Sequence, residues 1–186
     1  AMLYEVSVTP KPGLVDRGNC GAHQDMDFFT FVDSAAAIAP YFGELCRLGF
    51  RSPEGGPRFC GGLRTVGMDA EAAMYRATGG VNTHKGLIFS LGLLAAAAGQ
   101  RFRLDMEGTE KALTAEALCE QEKALAREFL PGLKRPPDTH GHAVCGRYQA
   151  EGARGEALSG FQSVLRAVLP HLRRRSGTLE QRGLWA

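Results

Sequence analysis

The feature that most constrains the fold of this chain is its longest apolar run, Gly86 to Ala98, which reads GLIFSLGLLAAAA. A membrane-spanning helix needs about 20 apolar residues, so this run is too short to cross a bilayer. A helix buried in the core of a globular domain explains the run better. The sequence therefore predicts a domain built around one central apolar helix, over residues 85–98.

The rest of the chain also has the pattern of helices. From a cap at Asp25 or Asp27 to about Leu48, where Gly49 is expected to stop the helix, apolar residues fall at helical spacing. No alternating stretch rich in Val, Ile or Thr predicts a strand. We therefore predict an all-α fold, a single-domain helical bundle with glycine-rich ligand loops. One further helix is predicted to end near residue 8, and another to run from Pro57 to Thr78 with an irregularity near Gly67. Three more are predicted at about 112–130, 138–151 and 155–174. A hinge is predicted at 131–138 and a polar connector at 100–109.

Composition excludes several classes of protein. With 186 residues, 44% of them hydrophobic and 23% charged, the chain is globular and long enough for one sizeable core. A net charge of +2 gives no strong field for nucleic acid or a membrane surface, so neither is an expected partner and any anion must be bound by locally placed cations. Five widely spaced cysteines without a CxxC pair, and a start that does not resemble a signal peptide, predict reduced thiols in the cytoplasm.

The segment from Thr9 to Asp27, TPKPGLVDRGNCGAHQDMD, is the most informative loop, and we call it the first loop. It is too rich in Pro, Gly and Asn to form a regular helix or strand. Most polar loops are solvated connectors, but this one combines two cations, three carboxylates, a histidine and an amide. That combination indicates a loop that holds a charged ligand. The side chains concerned are Lys11, Asp16, Arg17, Asn19, His23, Asp25 and Asp27.

A second segment, residues 79–86, reads GGVNTHKG and leads into the apolar helix. Asn82 or Thr83 is expected to cap that helix, whose free N–H groups would then face the same space as His84 and Lys85. This arrangement suits a phosphate group. It is not a Walker motif, because the GxxxxGK[ST] spacing is absent and no strand precedes it. The alternative is a turn between helices with an ordinary cap.

Two further segments carry charged residues that could bind a ligand but also have an ordinary structural explanation. In GARGEALSGF, Arg154 and Glu156 stand beside glycines at the start of a helix, although Glu156 there can merely complement the helix dipole. Arg64 and Glu71 are seven residues apart and so share one face of a helix, which can also be an ordinary solvated face. Cys20 lacks a paired base, which argues against a nucleophile.

Taken together, these segments predict a binding site for a nucleoside triphosphate. Three glycine-containing loops carry cations, and acidic residues lie near each of them. Lys and Arg suit polyphosphates, and carboxylates suit Mg²⁺, which commonly bridges phosphates to one or two carboxylates. We therefore expect a helical bundle that binds a nucleoside triphosphate, with Mg²⁺, outside the P-loop scheme.

The same segments resemble one family, the triphosphoribosyl-dephospho-coenzyme A synthases. That family makes the prosthetic-group precursor of citrate lyase, and a sister branch serves malonate decarboxylase. The stretches that carry the resemblance are EVSVTPKPGLVDRGNCGAHQDMD, LRTVGMDAEAAMYRATGGVNTHKGLIFSLGLLAAAAG and GARGEALSGFQSVLRAVLP, which span most of residues 5–170. NCGAHQDM is more similar to the citrate-lyase branch.

The resemblance implies an all-α transferase with ATP and 3′-dephospho-CoA as substrates. The 2′-hydroxyl of the dephospho-CoA ribose attacks the anomeric carbon of ATP, adenine leaves, and the triphosphate stays on the transferred ribose. The triphosphate is thus a handle and not a leaving group. Displacement at an anomeric carbon develops oxocarbenium character, which a carboxylate can stabilise, and an acid and a base can move the protons.

Site roles follow from the resemblance as expectations. Triphosphate contacts are expected from Lys11, Arg17, Asn82, Thr83, His84 and Lys85. Catalysis is expected from His23 as acid or base and from Asp25, Asp27 and Glu71 as stabilising carboxylates or Mg²⁺ ligands. Contacts to the second substrate are expected from Arg64, Arg154 and Glu156.

The chain departs from the family pattern at its ends. Family members usually continue past LPHLR to a stretch like LLxLMxxxxDTNVxxRGG, whereas residues 171–186 read HLRRRSGTLEQRGLWA. They also carry more helix before EVSVTPKPG. We therefore expect one α-helical domain over 1–186 that is truncated at the C-terminus and short at the N-terminus, and whose exposed apolar surface favours a homodimer. The alternative to an active transferase is a truncated relative that binds ATP or CoA-type ligands but catalyses weakly.

Overall fold

The computed structural model describes residues 2–108, 113–133, 152–178 and 181–182. All regular elements in these ranges are helical, so the all-α prediction is confirmed. A 3-10 turn, Leu130–Gly132, follows α5, and a π-helical stretch, Val164–Val168, leads into α7. The helices are α1 (Met2–Ser7), α2 (Phe28–Arg51), α3 (Pro57–Ala77), α4 (Lys85–Met106), α5 (Ala115–Phe129), α6 (Gly152–Ser159) and α7 (Leu169–Arg174).

The apolar helix α4 lies at the centre of the bundle, as the sequence predicted. It packs against α2, α3, α5 and α6, and its buried Leu93, Ala96 and Ala97 belong to the main core cluster. The partners of these residues in that cluster include Leu45 of α2 and Leu63 of α3. Of the helices in the described ranges, α4 is the one that is long and apolar enough to cross a membrane, and 44% of its most apolar window is buried within the bundle.

The C-terminal part of α4 corrects the predicted polar connector at 100–109. The helix continues to Met106 because its polar residues there are used between helices. The Gln100 side chain donates to the Ser52 carbonyl at 3.0 Å and accepts from Gln121 of α5 at 3.0 Å. Both bonds lie in a partly buried environment, where they satisfy polar groups that would otherwise be left without a partner between the helices.

Two glycines allow α2 and α4 to cross closely. A Cβ on Gly49 would lie 2.0 Å from the Ala96 carbonyl oxygen, and a Cβ on Gly99 would lie 2.0 Å from the Cys46 carbonyl oxygen. The prediction that Gly49 stops α2 is therefore wrong. The helix continues to Arg51, and this glycine serves contact between backbones.

The start of α2 settles which aspartate caps it. Asp27 is the N-cap, since its Oδ1 accepts from the Thr30 N–H at 2.8 Å, while the Thr30 hydroxyl accepts from the Asp27 N–H at 3.2 Å. These bonds, first among them the one from the Thr30 N–H, hold the pKa of Asp27 below its usual range. The carboxylate of Asp27 is thus committed to the helix terminus.

The predicted helix over 155–174 is wrong at its middle. Gly160 and Phe161 both have positive φ, 76° and 52°, and Phe161 is buried in the main core cluster. The Phe161 N–H donates to the Glu156 carbonyl at 2.8 Å, which ends α6 in a left-handed cap. In contrast, α3 runs unbroken through Gly67, so the predicted irregularity there is wrong.

Some predictions concern residues outside the described ranges. The predicted helix over 138–151 falls there, and so does the hinge at 131–138 from residue 134 onward.

The cysteines that the structure describes, at positions 20, 46, 60 and 119, are all free thiols, as the sequence predicted.

Candidate functional site

Asp16 organises the first loop from within. Only 2% of the residue is exposed, and its carboxylate accepts from the backbone N–H groups of Lys11 at 2.8 Å, Gly18 at 2.7 Å and Asn19 at 3.0 Å. These bonds, the one from Lys11 first, lower the pKa of Asp16. Asp16 is therefore an ionised structural residue that fixes the backbone on which the neighbouring charged side chains stand.

The first loop and the start of α4 meet at one cavity of about 620 Å³, which we call the main cavity. Side chains from α1, α2 and α4 complete its walls. The first loop and residues 79–86 are far apart in sequence, so local patterning alone could not have shown that they meet. Its polar lining residues are Glu5, Lys11, His23, Asn82, Thr83 and His84, and its apolar ones are Met2, Leu14, Val15, Met26, Phe31, Leu87 and Leu91.

Lys11 lines the main cavity and forms an ion pair there with Glu5. Its ammonium lies 2.7 Å from a carboxylate oxygen of Glu5 and 2.9 Å from the Glu5 carbonyl oxygen. Only 14% of the Lys11 side chain is exposed. Sequence reasoning missed Glu5, because nothing in the pattern of α1 distinguishes it from a solvated acidic residue.

His84 is held by a buried set of contacts that the sequence did not indicate. Its Nδ1 lies 2.7 Å from the Ser34 hydroxyl, which also accepts from the Thr83 hydroxyl at 2.7 Å. The ring packs edge-on against Phe31, with 5.0 Å between ring centroids. Burial lowers the pKa of His84, and the charge of Glu5 opposes this only in part. His84 therefore offers hydrogen bonds and not a positive charge near neutral pH.

The start of α4 lies at the same wall of the main cavity. The N-cap position is occupied by His84, so the prediction of Asn82 or Thr83 at that position is wrong. Asn82 still supports the first turn, because its Oδ1 accepts from the Lys85 N–H at 3.3 Å. The Thr83 hydroxyl is instead directed to Ser34, which ties the loop to α2.

Lys85 and Glu71 form an ion pair between α4 and α3. The ammonium of Lys85 lies 3.0 Å from Oε2 of Glu71, and the hydrogen bond that Lys85 donates to this carboxylate raises the pKa of Lys85. Lys85 directly follows His84 of the main cavity, whereas Glu71 lines an apolar cleft of about 140 Å³ between α3, α4 and α5. The pair thus connects the residue that follows His84 to a residue of the cleft, while Lys85 itself is not among the residues that line the main cavity.

Arg64 shares the cleft with Glu71, as their spacing on α3 predicted. It also lines an adjoining cavity of about 350 Å³, together with Phe129 and Gly132. The Arg64 guanidinium donates to the Gly132 carbonyl, which links α3 to the turn after α5.

Other predicted site residues lie apart from the main cavity. Arg17 lines a separate cavity of about 260 Å³ beside α1. Asp25 is exposed and its Oδ1 lies 3.8 Å from His23 Nδ1. Arg154 and Glu156 stand on α6, which packs against α5 and α4, and Glu156 accepts from the Ser163 hydroxyl at 2.7 Å. Within the described ranges, neither α6 residue lines the main cavity.

The three carboxylates predicted for Mg²⁺ do not form a metal site by themselves. Asp27 caps α2, Glu71 pairs with Lys85, and Asp25 lies beside His23. In the part of the chain that the structure describes, no group of three or more His, Cys, Asp or Glu side chains is placed to hold a metal ion. The residues of the described ranges therefore do not fit a resident Mg²⁺ held by their side chains alone.

Comparison with known proteins identifies relatives of this chain. The family model described as ATP:dephospho-CoA triphosphoribosyl transferase (CitG) matches residues 1–185. A Vibrio cholerae protein named "Probable 2-(5''-triphosphoribosyl)-3'-dephosphocoenzyme-A synthase" is 40% identical over 191 residues, covering 100% of this chain and 60% of the relative. A Streptococcus equi subsp. zooepidemicus protein of the same name is 41% identical, covering 97% and 65%.

A third relative differs in length. "Protein CitXG" of Leuconostoc mesenteroides subsp. cremoris is 40% identical over 188 residues, which cover 97% of this chain and 39% of that protein. This chain therefore spans less than two thirds of the length of each of these relatives. No solved structure matches the chain.

Proposed function

The chain belongs to the ATP:dephospho-CoA triphosphoribosyl transferase family, and from that premise we propose that its main cavity binds ATP for a glycosyl-type transfer. The proposed reaction joins the triphosphoribosyl part of ATP to 3′-dephospho-CoA and releases adenine. The product is the precursor of the citrate lyase prosthetic group. Activity and substrates are proposals for this chain, because it spans 60% and 65% of the two synthases it resembles.

The observation that carries the proposal is the meeting of two polar segments at one cavity. Lys11 and His23 come from the first loop, and Asn82 to His84 come from the start of α4. A volume of about 620 Å³ is in the range of small-molecule sites. A helix N-terminus and a nearby ammonium favour an anion, and the apolar walls favour the base and ribose.

The site is suited to holding a triphosphate without cleaving it. The triphosphate remains on the product, so the reaction needs cations and N–H donors but no Walker motif. Lys11 and Lys85 each have a carboxylate partner, Glu5 and Glu71, at 2.7 and 3.0 Å. We propose that both ammonium groups exchange part of this pairing for phosphate oxygens. Arg17 remains a proposed triphosphate contact because of the resemblance and not because of its position, since it lines a separate cavity.

The chemical step is a displacement at the anomeric carbon. The oxygen of the 2′-hydroxyl forms a bond to C1′ of ATP while the bond from C1′ to the adenine nitrogen breaks, and its electron pair leaves with adenine. The hydroxyl loses a proton and the departing adenine gains one. His23, which lines the main cavity, is the proposed acid or base.

Two carboxylates are proposed to stabilise the oxocarbenium character at C1′. Asp25 is exposed beside His23, and Glu71 lines the cleft and pairs with Lys85. Asp27 is the less suitable candidate, because its carboxylate already accepts two hydrogen bonds from Thr30.

Dephospho-CoA is proposed to approach from the side of the cleft. The cleft and the adjoining cavity are mainly apolar and share Arg64, which suits an uncharged pantetheine arm next to a charged phosphate group. Arg154 and Glu156 remain proposed contacts to this substrate. Their support is the resemblance and not their position on α6.

We also propose that the reaction uses Mg²⁺ and that the chain forms a homodimer. Mg²⁺ usually keeps substrate phosphates among its ligands, so we propose that it arrives with ATP as part of the substrate.

The homodimer is supported by exposed apolar side chains such as Phe29, which is 71% exposed, and Met106, which is 67% exposed. Sedimentation equilibrium would give a monomer mass if the homodimer does not form.

Isotopic labelling tests the proposed reaction. The chain is incubated with dephospho-CoA and ATP labelled either in the ribose or in the adenine. We expect ribose label in a CoA derivative and adenine label in free adenine. Adenine label retained in the CoA derivative, or ribose label found only in ADP, would reject the proposed transfer.

A further inference from the structure

Ser34 links the loop before α4 to α2 through two short hydrogen bonds. The residue is fully buried, at 0% exposure. Its hydroxyl oxygen lies 2.7 Å from the Thr83 hydroxyl oxygen and 2.7 Å from Nδ1 of His84. Ser34 and the adjacent pair Thr83 and His84, which lie about 50 residues further along the chain, thus form one continuous chain of hydrogen bonds at the wall of the main cavity.

Counting protons along this chain relates its direction to the tautomer of His84. The Thr83 hydroxyl donates to the Ser34 oxygen. Ser34 has a single hydroxyl proton, and Nδ1 of His84 is the other partner of its hydroxyl. With Thr83 as the donor to Ser34, the Ser34 proton goes to Nδ1, which accepts it, and a neutral imidazole then carries its own proton on Nε2. In the reverse direction, Nδ1–H would donate to Ser34 and Ser34 would donate to Thr83.

The His84 ring lies at the wall of the main cavity and is held there by its neighbours. His84 lines the main cavity, and Phe31 contacts the ring edge-on. The His84 N–H donates to Sδ of Met74 at 3.1 Å, which fixes the backbone as well. Among the described residues Nε2 has no hydrogen-bond partner, so it is the ring atom available to a ligand.

We propose that Ser34 is a positioning residue that fixes the tautomer of His84 with its proton on Nε2, so that the ring presents an N–H donor to an acceptor atom of the ligand. That the ligand is ATP rests on the proposed function, whereas the tautomer does not. His84 then recognises an oxygen or nitrogen acceptor through an uncharged hydrogen bond. This role differs from a cationic contact to triphosphate.

Nitrogen NMR of the ligand-free chain tests the tautomer directly. The five histidines are labelled with ¹⁵N, and His84 is assigned by the loss of its signals in His84→Gln. We expect the shift of an unprotonated nitrogen at Nδ1 and of a protonated nitrogen at Nε2 at neutral pH. A proton on Nδ1, on both nitrogens, or divided between them in the wild-type chain would overturn the proposal.

The variant Ser34→Ala tests the positioning role. We expect mixed tautomers of His84 and an ATP affinity lower by about five- to tenfold, since one net hydrogen bond is worth about 1 kcal/mol. Ser159→Ala is the matched control, because Ser159 on α6 also donates a 2.7 Å hydrogen bond, to the Glu156 carbonyl. An unchanged tautomer in folded Ser34→Ala would overturn the positioning role. If that variant does not fold, the wild-type spectrum still decides the tautomer.

Failure of the proposed function has a different signature. In that case the wild-type chain shows the Nε2–H tautomer but does not bind ATP in calorimetry. The tautomer assignment then stands, and only the identity of the ligand is rejected.

Discussion

The Lys85 ammonium lies 3.0 Å from the Glu71 carboxylate, and this pair joins the start of α4 to the middle of α3. Lys85 follows the residues that line the main cavity, and Glu71 lines the apolar cleft. If the two spaces hold the two substrates, the pair stands where the reacting atoms meet. The two side chains then have separable roles, one in binding and one in the chemical step.

Glu71→Gln is expected to lower turnover by about 100-fold with little loss of ATP affinity. The amide cannot stabilise positive charge at C1′, while the Lys85 ammonium remains available to the triphosphate. Steady-state rates and calorimetry measure the two effects. Glu107→Gln is the control, because Glu107 pairs with Arg103 at the other end of α4. Unchanged turnover in Glu71→Gln would remove Glu71 from the chemistry.

Lys85→Ala is expected to weaken ATP binding about tenfold or more, because a charge-assisted hydrogen bond is worth about 1.5–3 kcal/mol. Calorimetric titration with ATP measures the change. Lys123→Ala, which removes the ammonium that pairs with Glu120 on α5, should bind ATP like the wild type. Equal affinities in wild type and Lys85→Ala would show that this lysine does not hold triphosphate.

Asp25→Asn is expected to reduce turnover at least tenfold while the melting temperature stays the same. Asp25 is exposed, and within the described residues its ion pair is with the exposed His23, so we expect the fold not to depend on it. Asp16→Asn is the contrast, since it removes the acceptor of three backbone N–H groups and should lower the melting temperature by several degrees. Wild-type turnover in Asp25→Asn would exclude a chemical role.

Glu122→Gln is expected to change how stability depends on pH. Glu122 is fully buried on α5, neither carboxyl oxygen has a hydrogen-bond partner in the described residues, and burial raises its pKa to about 8. Unfolding lets this carboxyl ionise from its ordinary pKa of 4.5. Between these values the unfolded state binds fewer protons, so this group makes the wild type less stable as the pH rises through that window.

Urea unfolding at pH 5 and pH 8 measures the effect of Glu122→Gln. The variant lacks the titration, so its unfolding free energy relative to the wild type should increase between the two pH values by at least about 1 kcal/mol. A relative stability that is the same at both pH values would show that Glu122 is already ionised in the folded chain.

The sequence predicted the helical class and the central helix because these follow from local spacing. Asp27 was one of two candidate caps for the same reason, and its capping box with Thr30 lies within four residues. The glycines were harder to interpret. Gly49 looked like a helix stop, and only its approach to Ala96 on another helix shows its role.

The missed residues acquire their roles from contacts across the fold. Ser34 is separated from His84 by 50 residues, and a small residue on a helix gives no sign of such a partner. The burial of Glu122 could have been predicted from the sequence, because Glu122 falls on the same helical face as the buried Cys119 and Ala126. A charged residue on an apolar face is unusual enough to single out from sequence.

The most direct test of the central claim is adenine release from ATP, measured with and without 3′-dephospho-CoA while inorganic phosphate is followed in the same samples. The account predicts adenine release only when dephospho-CoA is present, in a one-to-one ratio with the CoA derivative formed and without phosphate release. Phosphate release, or ATP binding without any adenine release in the presence of dephospho-CoA, would contradict it.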